Sequence, residues 1–255
     1  MDSETIIRQT RSNILQIALN RPDRLNALNR KLADDLEKAF DEAAGDREVK
    51  AIVLSGKGKS FCVGADLNET EFTSFEHIEQ FLKRFHALFN KIEGIEKPTI
   101  AAIDGYALGG GCELALVCDI RIATERASIG VPEIKMGFLP SAGGTQRLPR
   151  LIGISNALEM LFTGAPVDSQ TAHRIGLVNK VVANDKLEEE TIKFAETLVN
   201  KSPAALKAAK RLVCSGINMD LKSALDFELQ CLSHLSFDAI KNANKLGEQK
   251  TGRRV

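Results

Sequence analysis

Two observations predict an α/β fold for this chain. Apolar runs and glycines precede helical stretches at Gly64, at Gly109-Gly110-Gly111 and at Gly143-Gly144. Repeated β-then-α units of this kind build a helix-covered sheet with the glycine ends gathered on one side. From Asp185 the pattern changes: Leu187 to Asn200, Pro203 to Cys214 and Leu221 to Leu235 carry helical spacing with no strand between them. The expected organisation is a mixed α/β body over residues 1–184 and an all-helical region over 185–255.

Taken in order, Ile6 to Thr10 and Ile14 to Leu19 read as a hairpin turning over Arg11-Ser12-Asn13. Asn20 to Arg24 is a turn, followed by Leu25-Asn26-Ala27-Leu28. Asn29 is placed to cap a helix whose inner face is Leu32, Leu36, Ala39, Phe40 and Ala43. Ala51 to Leu54 is a buried strand, and Phe61-Cys62-Val63 is a short one that stops at Gly64-Ala65-Asp66-Leu67. Phe72 to Lys91 has amphipathic helical spacing, with Phe81, Phe85, Leu88, Phe89 and Ile92 on the inner face. The stretch Pro98 to Asp119 organises the rest: an apolar run to Ile103, a break at Asp104-Gly105, the glycine triplet, and a helix apolar apart from Glu113. Ile120 to Ala123 is a further strand, Pro132 fits the first position of a short helix carrying Glu133, and Gly143-Gly144 opens another. The polar end, Asn242 to Val255, is expected to be loosely held.

Composition narrows the class. A chain of 255 residues, 44% hydrophobic and 27% charged, can bury one large core. Thirty-four basic residues balance thirty-four acidic ones, which argues against a nucleic-acid or membrane surface. No apolar run reaches the length of a membrane span, and the first ten residues have no signal-peptide core, so a cytoplasmic location is expected, with an organelle matrix open to a processed form. The five cysteines form no CxxC pair, and His77, His86, His173 and His234 have no ligand spacing, so no metal site is expected.

The glycine triplet would point backbone N–H groups outward at a helix start, where negative charge is favoured. Glu113 then lies in the first turn of a helix too apolar to face water, a setting that tunes a carboxyl pKa for proton transfer. The same features also serve close packing and compensation of the helix dipole, and both readings stand on this stretch alone.

Three motifs together carry more. FCVGADL (61–67), ALGGGCELALVCDIR (107–121) and GVPEIKMGFLPSAGGTQRLPRLIG (130–153) occur in this order and closely resemble the enoyl-CoA hydratase/isomerase (crotonase) superfamily, in particular its hydratase branch. The resemblance extends from RPDRLNAL (21–28) to AHRIGLVNKVV (172–182). It implies a ββα spiral core and a C-terminal helical region that builds homotrimers, often paired into hexamers, and helps close the site. It implies hydration of a 2-enoyl-CoA to a 3-hydroxyacyl-CoA, as in β-oxidation. No separate cofactor is needed, since CoA enters with the acyl-CoA substrate. By the resemblance, the N–H groups of Ala65 and Gly110 form an oxyanion hole, Glu113 is the base to water and Glu133 delivers a proton to the α-carbon. Arg24, Leu25, Ala27, Asp66, Leu67, Gly109, Pro132, Leu139, Gly143 and Gly144, with Ala65 and Gly110, are expected along the acyl-CoA path.

The chain departs from many relatives soon after the GAD motif, where many carry a Lys and it has Asn68-Glu69, and at Leu246 to Val255, which lacks the aromatics of their aromatic-rich, basic tail. Two other readings use the same resemblance. One is a double-bond isomerase, or a hydratase of a branched or carboxylated enoyl-CoA. The other is an RNA-binding relative using Lys201, Lys207, Lys210 and Arg211, against which stand the neutral charge, the single Tyr and the lack of Trp.

Overall fold

The computed structural model describes residues 5–67 and 74–251. Asn68-Glu69, the start of the helix expected from Phe72 and the last four residues of the divergent tail lie outside the described residues.

Strands β1 (Ile6–Arg11) and β2 (Ile14–Leu19) form the expected antiparallel hairpin. Its link is Ser12-Asn13, with positive φ at both residues, the twist that suits a two-residue turn. Helix α1 (Arg30–Gly45) begins as the sequence predicts: Asn29 Oδ1 accepts the Leu32 N–H at 2.9 Å, and the five predicted inner residues are buried.

The next part of the chain makes three windings. In the first, β3 (Ala51–Gly56) and β4 (Ser60–Cys62) precede helix α2 (Phe75–Gly94). In the second, β5 (Thr99–Ile103) and β6 (Tyr106–Leu108) precede helix α3 (Gly110–Leu116). In the third, β7 (Ile120–Thr124) and β8 (Ser128–Gly130) precede a 3-10 turn at Pro132–Met136 and helices α4 (Gly144–Ile152) and α5 (Ile154–Thr163). Strand β9 (Val167–Asp168), helix α6 (Ser169–Arg174), strand β10 (Lys180–Val182) and helix α7 (Leu187–Val199) complete the first compact unit. The first strand of each winding joins a sheet ordered β1-β2-β3-β5-β7-β10, and the second joins a sheet ordered β4-β6-β8-β9. Apart from the hairpin and the β8–β9 pair, neighbouring strands are parallel. This is a ββα spiral.

The larger sheet is covered on both faces, which is why its central strands are apolar throughout. Ile52, Leu54, Ala101 and Ile103 face one core with α1 and α2, while Val53, Ile100 and Ala102 alternate to a second core with Ala195 of α7. This second core corrects the expected boundary at 184. Helix α7 belongs to the sheet, the first unit runs to Val199, and the second begins at Asn200. The second unit holds α8 (Pro203–Gly216), capped by Ser202, and α9 (Leu221–Thr251), with Arg211 of α8 over the Phe227 ring of α9 at 5.3 Å. The polar end expected to be loose is helical through Thr251.

Two further expectations are corrected. The glycine triplet is preceded by the three-residue strand β6, which the Asp104-Gly105 break concealed. Gly143-Gly144 comes after a 3-10 turn and a loop, not a strand. Among the described residues, no helix is long and apolar enough to cross a membrane.

Helix α3 lies close against β4 through Gly111, where an added Cβ would collide with the Cys62 carbonyl. Gly111→Ala is therefore expected to lower the urea unfolding free energy by about 1–3 kcal/mol. Gly45→Ala at the open end of α1, where a Cβ meets nothing within 4 Å, is expected to raise it by about 0.5–1 kcal/mol. Equal effects in the two urea melts would contradict this packing.

Candidate active site

Strands β4, β6 and β8 run parallel and adjacent, so the segments leaving their ends converge. Those segments are Gly64-Ala65, the start of α3, and the 3-10 turn. Helix α3 starts after Gly109, whose φ of 55° and ψ of −127° suit a residue with no Cβ. Glu113 lies in its first turn and is only 1% exposed.

The Glu113 carboxylate is held from one side. Its Oε1 accepts the Ala142 N–H at 2.8 Å and the Gly144 N–H at 2.7 Å, while its buried Oε2 has no hydrogen-bond partner among the described residues. Burial pushes the Glu113 carboxyl above the usual carboxylate range, opposed by the N–H groups of Gly144, Ala142 and Ser141. A Cβ on Gly144 would stand 2.7 Å from the Pro140 Cβ and 3.0 Å from Oε1, so it would crowd both the loop and the carboxylate.

Glu133 sits in the 3-10 turn behind Pro132. Burial pushes its carboxyl up to about 7; its own backbone N–H opposes the rise and the Glu113 charge adds to it. Its Oε2 is buried without a partner among the described residues. Gly109 lies against the other oxygen, where a Cβ would be 3.0 Å from Oε1. The two carboxyl groups thus rest against two glycines and are electrostatically coupled.

Ala65 and Gly110 are neighbours through their backbones. Leu28 N–H donates to Gly64 at 2.7 Å and Asp66 N–H donates to Leu28 at 2.9 Å, so this bridge leaves the Ala65 N–H on its opposite edge. A Cβ on Gly110 would be 3.7 Å from the Ala65 nitrogen, and one on Gly64 would be 3.1 Å from the Gly110 nitrogen. The structure therefore gathers Ala65, Gly109, Gly110, Glu113, Glu133 and Gly144 around one spot, with Pro132 and Gly143 next to Glu133 and Gly144 in the chain.

A sequence model of the enoyl-CoA hydratase/isomerase family matches residues 9–245. The chain belongs to this family. It is 39% identical to a short-chain-enoyl-CoA hydratase of Clostridium acetobutylicum over 229 residues, 89% of this chain and 88% of the relative. It is 38% identical to a crotonyl-CoA hydratase of Syntrophomonas wolfei over 229 residues, with the same two shares. The crystal structure of an enoyl-CoA hydratase from Bacillus anthracis superposes with a TM-score of 0.90 at 35% identity, covering 96% of each chain.

Around this spot, the remaining sequence-predicted residues divide. Arg24, Leu25, Leu67 and Leu139 are exposed, whereas Ala27 is buried and its carbonyl accepts from Arg21. The Asp66 carboxylate, expected along the CoA path, pairs with the Arg21 guanidinium at 2.9 Å, with side chains only 4% and 12% exposed. Sequence reasoning assigned no role to Arg21 or Asn26. Asn26 is fully buried, accepts the Arg21 N–H at 2.9 Å and donates to the carbonyls of Lys57 and Ser60 at 2.9 and 2.8 Å. These bonds hold Leu25 and Asn26 at φ of 50° and 57°, a conformation that costs a leucine about 1–2 kcal/mol. The signal was present in RPDRLNAL, where both residues flank a turn that exposes Leu25.

Asp66→Ala is expected to destabilise the fold by about 3 kcal/mol or more, because it leaves Arg21 buried without its counter-charge. Arg24→Ala should leave the urea midpoint within experimental scatter. A wild-type midpoint for Asp66→Ala would mean the pair is not a tie between the two loops.

Proposed function

We propose that this chain hydrates the 2,3-double bond of a short-chain 2-enoyl-CoA. The observation that carries the reading is the pair of glutamates, each with a buried Oε2 that has no partner among the described residues, beside the adjacent N–H groups of Ala65 and Gly110. The names of the two hydratase relatives support it.

In the proposed mechanism, the thioester carbonyl oxygen accepts from the Ala65 and Gly110 N–H groups. Negative charge grows on that oxygen as the enolate forms, and a preorganised donor of this type is worth about 3–4 kcal/mol. The positive end of α3 adds to the same field. Glu113, held through Oε1, uses Oε2 to take a proton from water as the water oxygen bonds to C3. Glu133, with its pKa raised to about 7, delivers a proton to C2. Proton transfer from Glu113 to Glu133, directly or through solvent, resets the pair. One water is consumed, no electrons change hands, and the chain's own groups suffice.

Glu113→Gln and Glu133→Gln are each expected to lower kcat for crotonyl-CoA by about 10²–10⁴-fold, followed as loss of the conjugated-thioester absorbance. For the wild type, kcat/KM should fall as pH rises through about 7, where free-enzyme Glu133 loses the proton it must donate. Near wild-type turnover by Glu113→Gln, or a flat profile to high pH, would overturn this mechanism. A migrated double bond in place of the 3-hydroxyacyl product would support the isomerase reading.

The chain is further proposed to assemble with copies of itself. Leu221, Leu225, Leu229 and Leu232 are all exposed along α9 and recur at helical spacing, an apolar stripe that another subunit would cover. Sedimentation at micromolar concentration should show an oligomer that Leu225→Glu combined with Leu229→Glu reduces in size; a wild-type monomer would contradict it. Balanced charge and cysteines that are all free fit a reducing aqueous compartment such as the cytoplasm.

A further inference from the structure

The loop that holds Glu113 is itself held. Arg147, in the first turns of α4, reaches back with Nη1 to donate to the Ala142 carbonyl at 2.8 Å. Its Nε and Nη2 form a fork on Glu93 of α2, at 3.0 Å to Oε1 and 2.7 Å to Oε2, and Nη2 also donates to Asn90 at 2.8 Å. The peptide gripped by Arg147, between Ala142 and Gly143, lies between the two peptides whose N–H groups hold Glu113 Oε1. The guanidinium passes where a Gly143 side chain would stand, and Gly143 has a φ of 102°. The Arg147 side chain is only 16% exposed, so its place is set by these partners.

We propose that Arg147 and Glu93 are positioning residues for the reaction: the fork from α2 locks the 142–144 peptides so that Glu113 is held by Oε1 and offers Oε2 to water. The inference rests on the reading of Glu113 as the base. Neither residue touches the reacting atoms. A planar, bidentate guanidinium suits the task because it fixes direction as well as distance. Without it, the 142–143 peptide loses its anchor to α2, and the Ala142 and Gly144 N–H groups can turn away from the carboxylate.

Loosening those N–H groups removes interactions that pull the Glu113 carboxyl down, so its titration should move upward in pH. Other charged groups face Glu113: Glu133 from the 3-10 turn and His86 from α2. The test must therefore separate geometry from charge. Loss of charge alone would raise the Glu113 titration in Arg147→Met but lower it in Glu93→Gln, because one variant removes a cation and the other an anion. Loss of the clamp raises it in both.

The experiment measures kcat, KM and the acid limb of the pH–rate profile with crotonyl-CoA for the wild type, Arg147→Met, Arg147→Lys and Glu93→Gln. It is accompanied by ¹³C NMR titration of carboxyl-labelled glutamate, assigned through Glu113→Gln. Expected are a 10- to 100-fold fall in kcat for Arg147→Met, KM within about threefold, and partial recovery in Arg147→Lys. Glu93→Gln should fall about 3- to 10-fold, with the acid limb and the NMR titration displaced upward in both Arg147→Met and Glu93→Gln. Wild-type kcat and titration in folded Arg147→Met, or opposite displacements in the two variants, would overturn the proposal. A fall in kcat with an unmoved titration would also overturn it, leaving Arg147 a folding residue. If Arg147→Met does not fold, Glu93→Gln, changed at a half-exposed position, decides the matter by the same readouts. Full activity in Glu113→Gln would instead overturn the base assignment, while the NMR titration would still report on the clamp.

Discussion

A carboxylate kept almost wholly out of water is the constraint on which the site depends. An ionised group in apolar surroundings is costly unless donors replace the lost solvent. The chain supplies two for Glu113, from Ala142 and Gly144, and both fall on the same oxygen. The other oxygen keeps its basicity in a region where electrostatic interactions are strong. Local backbone is shaped by this arrangement. A side chain on Gly144 would meet the Pro140 Cβ at 2.7 Å and Glu113 Oε1 at 3.0 Å, and the helix bearing Glu113 can approach β4 because Gly111 has none.

The spiral makes this arrangement possible from segments far apart in sequence. Each winding contributes one strand to each sheet, and the second strands, β4, β6 and β8, stand side by side in parallel. Parallel neighbours finish at the same edge. Beyond that edge come Ala65 from the first winding, Gly110 and Glu113 from the second, and Glu133 from the third. Ligands of α/β proteins commonly sit at such carboxyl-terminal edges. Elsewhere, the chain uses polar side chains as ties: Arg21 with Asp66, Asn26 with two carbonyls, and Arg147 with half-exposed Glu93.

Local elements were legible where one physical rule acted alone. The hairpin, the Asn29 cap and the buried face of α1 arise from turn chemistry, capping and helical spacing. Strand β6 was hidden because three residues are too few for a period-2 pattern to show between glycines. Helix α7 was assigned to the C-terminal region because its amphipathic pattern does not say what its apolar face meets. In the structure that face meets the outer side of the larger sheet. The glutamates and the glycines near them could be named from motifs, but their pairing through Gly109 and Gly144 could not.

The sequence by itself determined the α/β class and the family resemblance, because these rest on local patterns and motifs, and the resemblance in turn named the candidate acid, base and oxyanion donors. Only the tertiary structure decided which oxygen of Glu113 is held, that burial pushes the Glu133 carboxyl up, that Asp66 turns inward to Arg21, and that Arg147 reaches back across Gly143. Each of these depends on burial and on contacts between distant segments. Propensity and spacing along the chain carry no record of them.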